Sequence, residues 1–327
     1  MMGENYGLIA AETKQAYERI KAYVRKTPLD YSPWLSDSCS VYIKREDEQI
    51  TNSFKLRGAV NKVQKLCQAT DTKLKIVTAS SGNHGLACAR SVTGTDVDCT
   101  IVVLENISSS KVKGIKRTNA TLKFHGTDCV ETELFAKNYA EEIGALYVSP
   151  YNDPDVVAGQ GTIGIEILED LPSVDAVFIS VGGGGLISGI SAFMKNRKPD
   201  IKIIGCQPEN SKVMYESIKH GSILDIESLD TLSDGTAGGV EQGSITFDIC
   251  KDLVDEWVLV SEDEISYAVY KMLQEHCKVV EGAAGVAIAS FLKTKNQYAG
   301  KNVVIVSCGG NISVEKLKYI INKHEGD

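Results

Sequence analysis

Lys55 lies in the run Thr51-Asn52-Ser53-Phe54-Lys55-Leu56-Arg57-Gly58-Ala59, just after a capping-type Ser and at the expected start of a helix. The positive end of a helix dipole, with Arg57 close by, disfavours an ammonium ion there. A neutral amine is the form a lysine needs to condense with an aldehyde. Two glycine-rich segments follow, Ser80-Ser81-Gly82-Asn83-His84-Gly85 and Gly182-Gly183-Gly184-Gly185, each between a strand-like and a helix-like stretch. Main-chain N–H groups at such a turn face an anion, with the helix dipole behind them. An amine and two anion cradles point to a cofactor that carries both an aldehyde and a phosphate.

Each motif has a plainer reading. The glycines at 182–185 could form only a tight turn, but two would serve for that, so four favour a phosphate. A dinucleotide site would want a carboxylate at the end of the next strand, and Lys202–Cys206 runs instead into Gln207-Pro208. Ser80, Ser81, Gly82 and Asn83 form a natural seat for a carboxylate, although alone they read as helix capping. His84 reads as a hydrogen-bonded helix-start histidine rather than a base. Cys308 follows the strand-like run Val303–Ser307 and is either core or a neutral partner for a ligand ring, since ligands sit at that end of a parallel sheet. Glu281, ahead of a small-residue helix, is equally a capping carboxylate or a site residue.

The elements that must hold these residues alternate strand and helix. Strands are expected at Lys75–Ala79, Thr100–Leu104, Thr121–Phe124, Ala145–Ser149, Asp175–Val181, Lys202–Cys206, Trp257–Val260 and Asn302–Ser307. This pattern predicts a largely parallel, doubly wound α/β fold. Residues 75–148 form one compact α/β set, expected as a small domain inserted into a large one made of 1–74 and 149–327. The 327 residues suffice for a substantial core, with 43% hydrophobic and 24% charged residues. A formal net charge of -8 argues against a nucleic-acid or anionic-membrane partner. No stretch has the length of a membrane span, and the N-terminal residues lack the pattern of a signal peptide. The nine cysteines are scattered without a C-x-x-C pair, as in a cytoplasmic protein with reduced thiols rather than a zinc or disulfide framework.

Taken in order, Ser-Phe-Lys55-Leu-Arg-Gly-Ala, Ser-Ser-Gly-Asn-His-Gly, Ala158-Gly159-Gln160-Gly161-Thr162, the tetraglycine and Cys308-Gly-Gly-Asn311 resemble the fold-type-II pyridoxal-phosphate enzymes. Within that family the chain is similar to the serine/threonine dehydratase and serine racemase group over nearly its whole length. The resemblance implies a large domain interrupted by a smaller, mobile one, and pyridoxal 5'-phosphate held by Lys55 as a Schiff base. It implies that Phe54 packs beside the cofactor, that Asn83 and Glu281 lie at its ring, and that Gly235 contacts the ring edge. Gly182, Gly183, Gly184 and Gly185 would hold the phosphate, and Cys308 would face the ring nitrogen. Ser80, Ser81, Gly82, Asn83 and His84 would bind the substrate carboxylate. The partner is a small hydroxy amino acid, and a homodimer is implied by the group.

The residues that separate members of the group tip toward elimination. Ser81 matches the second base of racemases, and hydroxyaspartate dehydratases share it. The racemases' divalent-cation site uses Glu, a carbonyl and Asp; here Gln207 and Val213 occupy the side-chain positions, with Ser211 between them, so no metal is expected. Cys308 stands where racemases have Ser, and Pro150-Tyr151-Asn152-Asp153 looks like a dehydratase. The expected activity is α,β-elimination of L-threonine and L-serine to the 2-oxo acid and ammonia. The alternatives are a serine or aspartate racemase using Lys55 and Ser81, a threo-3-hydroxyaspartate dehydratase and, behind these, an inactive cofactor-binding protein. The chain ends soon after Asn311, so feedback inhibition through a C-terminal regulatory domain is not expected.

Overall fold

Segments 176–180 and 302–307 are almost wholly apolar, and all of the first and all but Asn302 of the second are buried. Strands buried on both faces need cover on both faces, which helices flanking a parallel sheet provide. The computed structural model describes residues 4–70, 72–80, 82–105, 107, 109–127 and 129–326. Its strands are β1 (Leu29–Tyr31), β2 (Ser40–Arg45), β3 (Lys75–Ala79), β4 (Asp98–Val103), β5 (Thr121–Phe124), β6 (Leu146–Tyr147), β7 (Ala176–Ser180), β8 (Lys202–Pro208), β9 (Glu256–Val260) and β10 (Asn302–Ser307). Its helices are α1 (Glu4–Ile20), α2 (Lys55–Ala69), α3 (Asn83–Ser91), α4 (Ser109–Ile115), α5 (Cys129–Glu142), α6 (Pro154–Asp170), α7 (Gly185–Arg197), α8 (Val213–His220), α9 (Ile245–Leu253), α10 (Glu262–His276), α11 (Gly282–Thr294) and α12 (Val314–Lys323).

The strands form a six-stranded sheet of order β1-β2-β10-β7-β8-β9 and a four-stranded sheet of order β5-β4-β3-β6. Every pair is parallel except β1 with β2. Helix α11 packs along β7 to β10, while Ile163 and Ile167 of α6 and Ile187 and Ile190 of α7 join the main core. The four-stranded sheet draws its strands from 75–147, yet its core also takes Ala59 and Val63 of α2 and Val156 of α6. Helix α6 therefore serves both sheets, whereas α2 packs into the core of the four-stranded one. No helix among the described residues is long and apolar enough to cross a membrane.

The doubly wound α/β expectation agrees with the structure, and it omitted β1 and β2. The second reads as polar because it ends in Lys44 and Arg45, both buried. Lys44 Nζ is 2.6 Å from Glu166 Oε2 and donates to Thr27 O at 2.6 Å. The strand expected at 145–149 is only Leu146–Tyr147. Past it, Val148 O accepts from Thr78 Oγ1 at 2.8 Å and from the His84 ring at 3.1 Å, which turns the chain away from the sheet. That turn carries Pro150 and Tyr151 into the site.

Candidate active site

The loops that meet at the cleft follow the carboxyl ends of parallel strands, where open α/β sheets bind ligands. Ser80–Asn83 follows β3, Gly182–Gly185 follows β7 and Cys308 follows β10. Helix α2 begins at Lys55, as expected. Its first turn is stitched to the end of β10: Ser53 bridges Gly309, and Phe54 N donates to Cys308 O at 3.1 Å. Lys55 Nζ donates to Pro150 O at 2.9 Å and lies 5.1 Å from the centre of the Phe54 ring. Burial strips water from this amine and brings its pKa down to about 8, with Cys308, Cys88 and Glu281 pulling weakly the other way. The lysine pKa is therefore lowered as expected, with burial as the largest reason.

Arg57 is not that reason. It is fully buried, with its guanidinium 2.8 Å from both oxygens of Glu46 and 2.6 and 2.8 Å from those of Glu166. Its charge is neutralised where it sits, so it anchors α2 instead of lowering the lysine pKa. The residue that caps α2 is Phe54, without a side-chain cap, while Ser53 Oγ accepts from Lys55 N at 3.3 Å.

The glycine loop is tighter than a turn alone demands. Only Gly184 has a positive φ, +85°. A Cβ on Gly183 would lie 2.4 Å from the Tyr151 ring, one on Gly185 3.0 Å from Tyr151 Cα, and one on Gly182 2.9 Å from Thr236 Cα. Close packing thus accounts for three of the four glycines and the left-handed backbone for the fourth, so their number alone does not require an anion. What favours one is the arrangement of donors. The N–H groups at the start of α7 have no intrahelical acceptor, and among the described residues Gly182, Gly183, Gly184 and Gly185 donate to nothing. Thr246 Oγ1 holds the Gly183 carbonyl at 2.7 Å, turned away from that purpose. Free N–H groups beside a poorly hydrated amine fit a phosphate-bearing aldehyde.

Opposite, Asn83 opens α3, whose cap residue is Gly82 without a side-chain cap. The expected polar cap there is absent because Asn83 is used elsewhere: its Nδ2 is 3.0 Å from both Glu281 oxygens, and its Oδ1 accepts from Asn311 Nδ2 at 2.7 Å. Glu281 also accepts from Asn311 N at 3.2 Å and stands at the start of α11. Burial raises its pKa, and Asn83 and Asn311 oppose the rise. A Cβ on Gly235 would lie 3.2 Å from Glu281 Oε1, which places that glycine against the same carboxylate. Cys308 is buried, and burial pushes its thiol well above the ordinary value, so it is neutral. His84 is buried and held by Val148 O, with burial bringing its pKa down to about 3, so its ring stays neutral and sits behind the loop. Ser80 Oγ accepts from Gly82 N at 3.2 Å. Ser81 lies outside the described residues.

The residues weighed for a cation are otherwise employed. Gln207 is buried, donates from Nε2 to Val181 O at 3.1 Å and accepts from Tyr215 N at 2.8 Å. Val213 is core, and Ser211 Oγ pairs with Ser228 Oγ at 2.9 Å. No group of three or more His, Cys, Asp and Glu able to hold a metal occurs among the described residues. Three participants escaped the sequence reading: the Pro150 carbonyl, the Tyr151 ring and Asn311 as a bridge between Asn83 and Glu281. A carbonyl leaves no mark in a sequence, but the bulky Tyr151 just before Asn152-Asp153-Pro154 is a signal that close packing on glycines could have explained.

The family model for pyridoxal-phosphate-dependent enzymes matches residues 20–309. The chain is 42% identical over 316 residues to an L-threonine ammonia-lyase of Thermotoga maritima, covering 95% of this chain and 78% of that protein. It is 38% identical to a catabolic L-threonine dehydratase of Staphylococcus aureus, covering 95% of this chain and 91% of that one. Among solved structures, the processed threonine deaminase isoform 2 of Solanum lycopersicum superposes with a TM-score of 0.92 at 32% identity, covering 99% of this chain and 94% of that one. Maize serine racemase superposes at 0.89 with 28% identity, covering 97% of each chain. With a buried lysine of lowered pKa in the same cleft as a glycine cradle and a family match from Ile20 to Gly309, this chain belongs to the pyridoxal-phosphate-dependent enzymes of fold type II.

Proposed function

We propose that the protein is an ammonia-lyase that converts L-threonine and L-serine to the 2-oxo acid and ammonia. The observation that carries the reading is Lys55, an amine of pKa about 8 held on Pro150 O beside the glycine loop, in a chain 42% identical to an L-threonine ammonia-lyase. Pyridoxal 5'-phosphate, when bound, supplies an electron sink for the substrate's α-carbon. Lys55 carries the cofactor at Nζ and, once released, takes the α-proton at the same atom. Pro150 O accepts one N–H of that amine and leaves its lone pair free for the proton.

Gly182, Gly183, Gly184 and Gly185 offer their N–H groups to the phosphate, and Phe54 packs beside the ring. Asn83, Glu281 and Gly235 would line the edge of the ring, and Cys308 would face its nitrogen as a neutral thiol, a weaker stabiliser of positive charge there than an aspartate. Ser80, Ser81, Gly82, Asn83 and His84 bind the substrate carboxylate, the last through its main chain. The substrate loses its α-proton and its β-hydroxyl as water, and a water returned on hydrolysis yields 2-oxobutanoate from threonine or pyruvate from serine, with ammonia. Residues 75–148 move as a small domain against the large domain of 1–74 and 149–327. The enzyme works as a cytoplasmic homodimer and without a metal, Gln207 being spent on the main chain.

The hydroxyl of Ser81, on the loop proposed to bind the carboxylate, favours a second reading, racemisation with Ser81 as the opposing base. One assay separates them: the protein is given L-threonine, L-serine and L-threo-3-hydroxyaspartate, and 2-oxo acid and D-isomer are both measured. Oxo acid from threonine and serine formed faster than any D-isomer is the expected outcome. D-isomer accumulating ahead of oxo acid would overturn the lyase reading, and turnover of hydroxyaspartate alone would overturn the substrate assignment.

A further inference from the structure

Glu241 joins three parts of the molecule that the chemistry described so far leaves unconnected. Its Oε1 is 2.7 Å from Lys137 Nζ, on helix α5 of the four-stranded sheet. Its Oε2 accepts from Asn152 Nδ2 at 2.9 Å, in the turn that leads from Pro150 into α6. Its main-chain N–H donates to Tyr151 Oη at 3.0 Å. The Tyr151 ring lies against Gly183 and Gly185, and four residues after Glu241 Ile245 N donates to Asn152 Oδ1 at 3.1 Å. Thr246, the next residue, holds Gly183 O. One residue therefore ties the flank of the four-stranded sheet to the wall of the glycine loop, its carboxylate holding Lys137 and Asn152 and its main-chain N–H holding Tyr151.

The contact is of a reversible kind. The Lys137 and Glu241 side chains are each 33% exposed, so the pair is partly hydrated and contributes modestly. Lys137 also lies 3.0 Å from Glu133 on its own helix, so it keeps a carboxylate partner when it leaves Glu241. Glu241 likewise keeps Asn152. Neither side strands a buried charge on separation, unlike the Arg57 cluster.

We propose that Glu241 is a positioning residue: through Tyr151 it sets the walls of the Gly182–Gly185 cradle, and through Lys137 it couples that setting to closure of the four-stranded unit. The inference rests on reading the cradle as the phosphate site. It predicts that cofactor affinity depends on a side chain of α5, on the far side of the cleft from the glycine loop.

The test uses Lys137→Glu, Glu241→Lys, the double exchange and Tyr151→Phe. Cofactor-free protein is titrated with pyridoxal phosphate by absorbance, and KM and kcat are measured with L-threonine. Each single change at 137 or 241 is expected to weaken cofactor binding and raise KM by about fivefold, with kcat within about twofold. The double exchange should recover the part of both that the ion pair carries, while the acceptor that Glu241 offers to Asn152 Nδ2 stays lost, and Tyr151→Phe should weaken the cofactor while keeping the ring in place. A general loss of folding would not be repaired by exchanging the two charges. Unchanged binding in the single variants, or a double variant as weak as the two losses combined, would overturn the proposal. Failure of the wild type to bind the cofactor would instead overturn the reading of the cradle itself.

Discussion

Lys55 owes its reactivity to lost hydration, and this fixes how it should respond to pH. An ordinary lysine titrates near 10.4, so only about one amine in a few thousand is neutral at pH 7; at a pKa of about 8 the fraction is near one in ten. Raising the pH increases the neutral, condensing form until the pKa is passed and then no further. Uptake of pyridoxal phosphate by the cofactor-free protein should therefore speed up steeply from pH 6 and level off above about pH 8, followed by rapid-mixing absorbance. A rate still climbing nearly tenfold per pH unit near pH 9 would mean that the amine is hydrated and ordinary. The histidine in the adjoining loop should add no inflection, since burial keeps the His84 ring neutral throughout this range. The sequence showed Lys55 because a lysine before a glycine-rich pair of turns is unusual in itself. Arg57 was misjudged as a cause because it finds its partner Glu166 only in the folded chain, 109 residues away.

Helix α2 packs its apolar side into the core of the four-stranded sheet, and buried charge ties it to the end of β2 and to α6. Arg57 pairs with Glu46 after β2 and with Glu166 in α6, while Lys44 shares Glu166. Removing one member leaves the others unpaired away from water. Arg57→Met should cost roughly 3–5 kcal/mol of stability, read as a lowered denaturation midpoint, because two carboxylates would keep only Lys44. A loss below about 1 kcal/mol would show that water reaches the cluster. The same cluster explains why β2 was not expected: half of Ser40–Arg45 looks solvent-facing until its counter-charges arrive from elsewhere. Strands of uniform apolar character, such as β7 and β10, needed no such knowledge and were placed to within about a residue. The turn after β6 was beyond reach because it is bent by hydrogen bonds to main-chain carbonyls, which every sequence has.

Across the whole molecule, the cleft is assembled from loops that are far apart in the chain. Lys55 comes from a helix packed into the core of the four-stranded sheet, Asn83 from that sheet as well, and the glycine loop, Glu281 and Cys308 from the six-stranded one. Contacts cross the cleft through Asn83 with Glu281 and Asn311 on one side and through Lys137 with Glu241 on the other. The order of motifs made this assembly legible as a resemblance, whereas the packing of Tyr151 on the glycines and the role of Glu241 exist only once the sheets are brought together. The proposed chemistry rests on one covalent attachment, that of the cofactor to Lys55. The most direct measurement is reduction of the cofactor-loaded protein with borohydride, followed by peptide mapping. The account predicts that the visible absorbance of the bound cofactor is bleached, that the pyridoxyl group is found on Lys55, and that Lys55→Ala shows neither. A stable adduct on another lysine, or no cofactor bound at all, would contradict it.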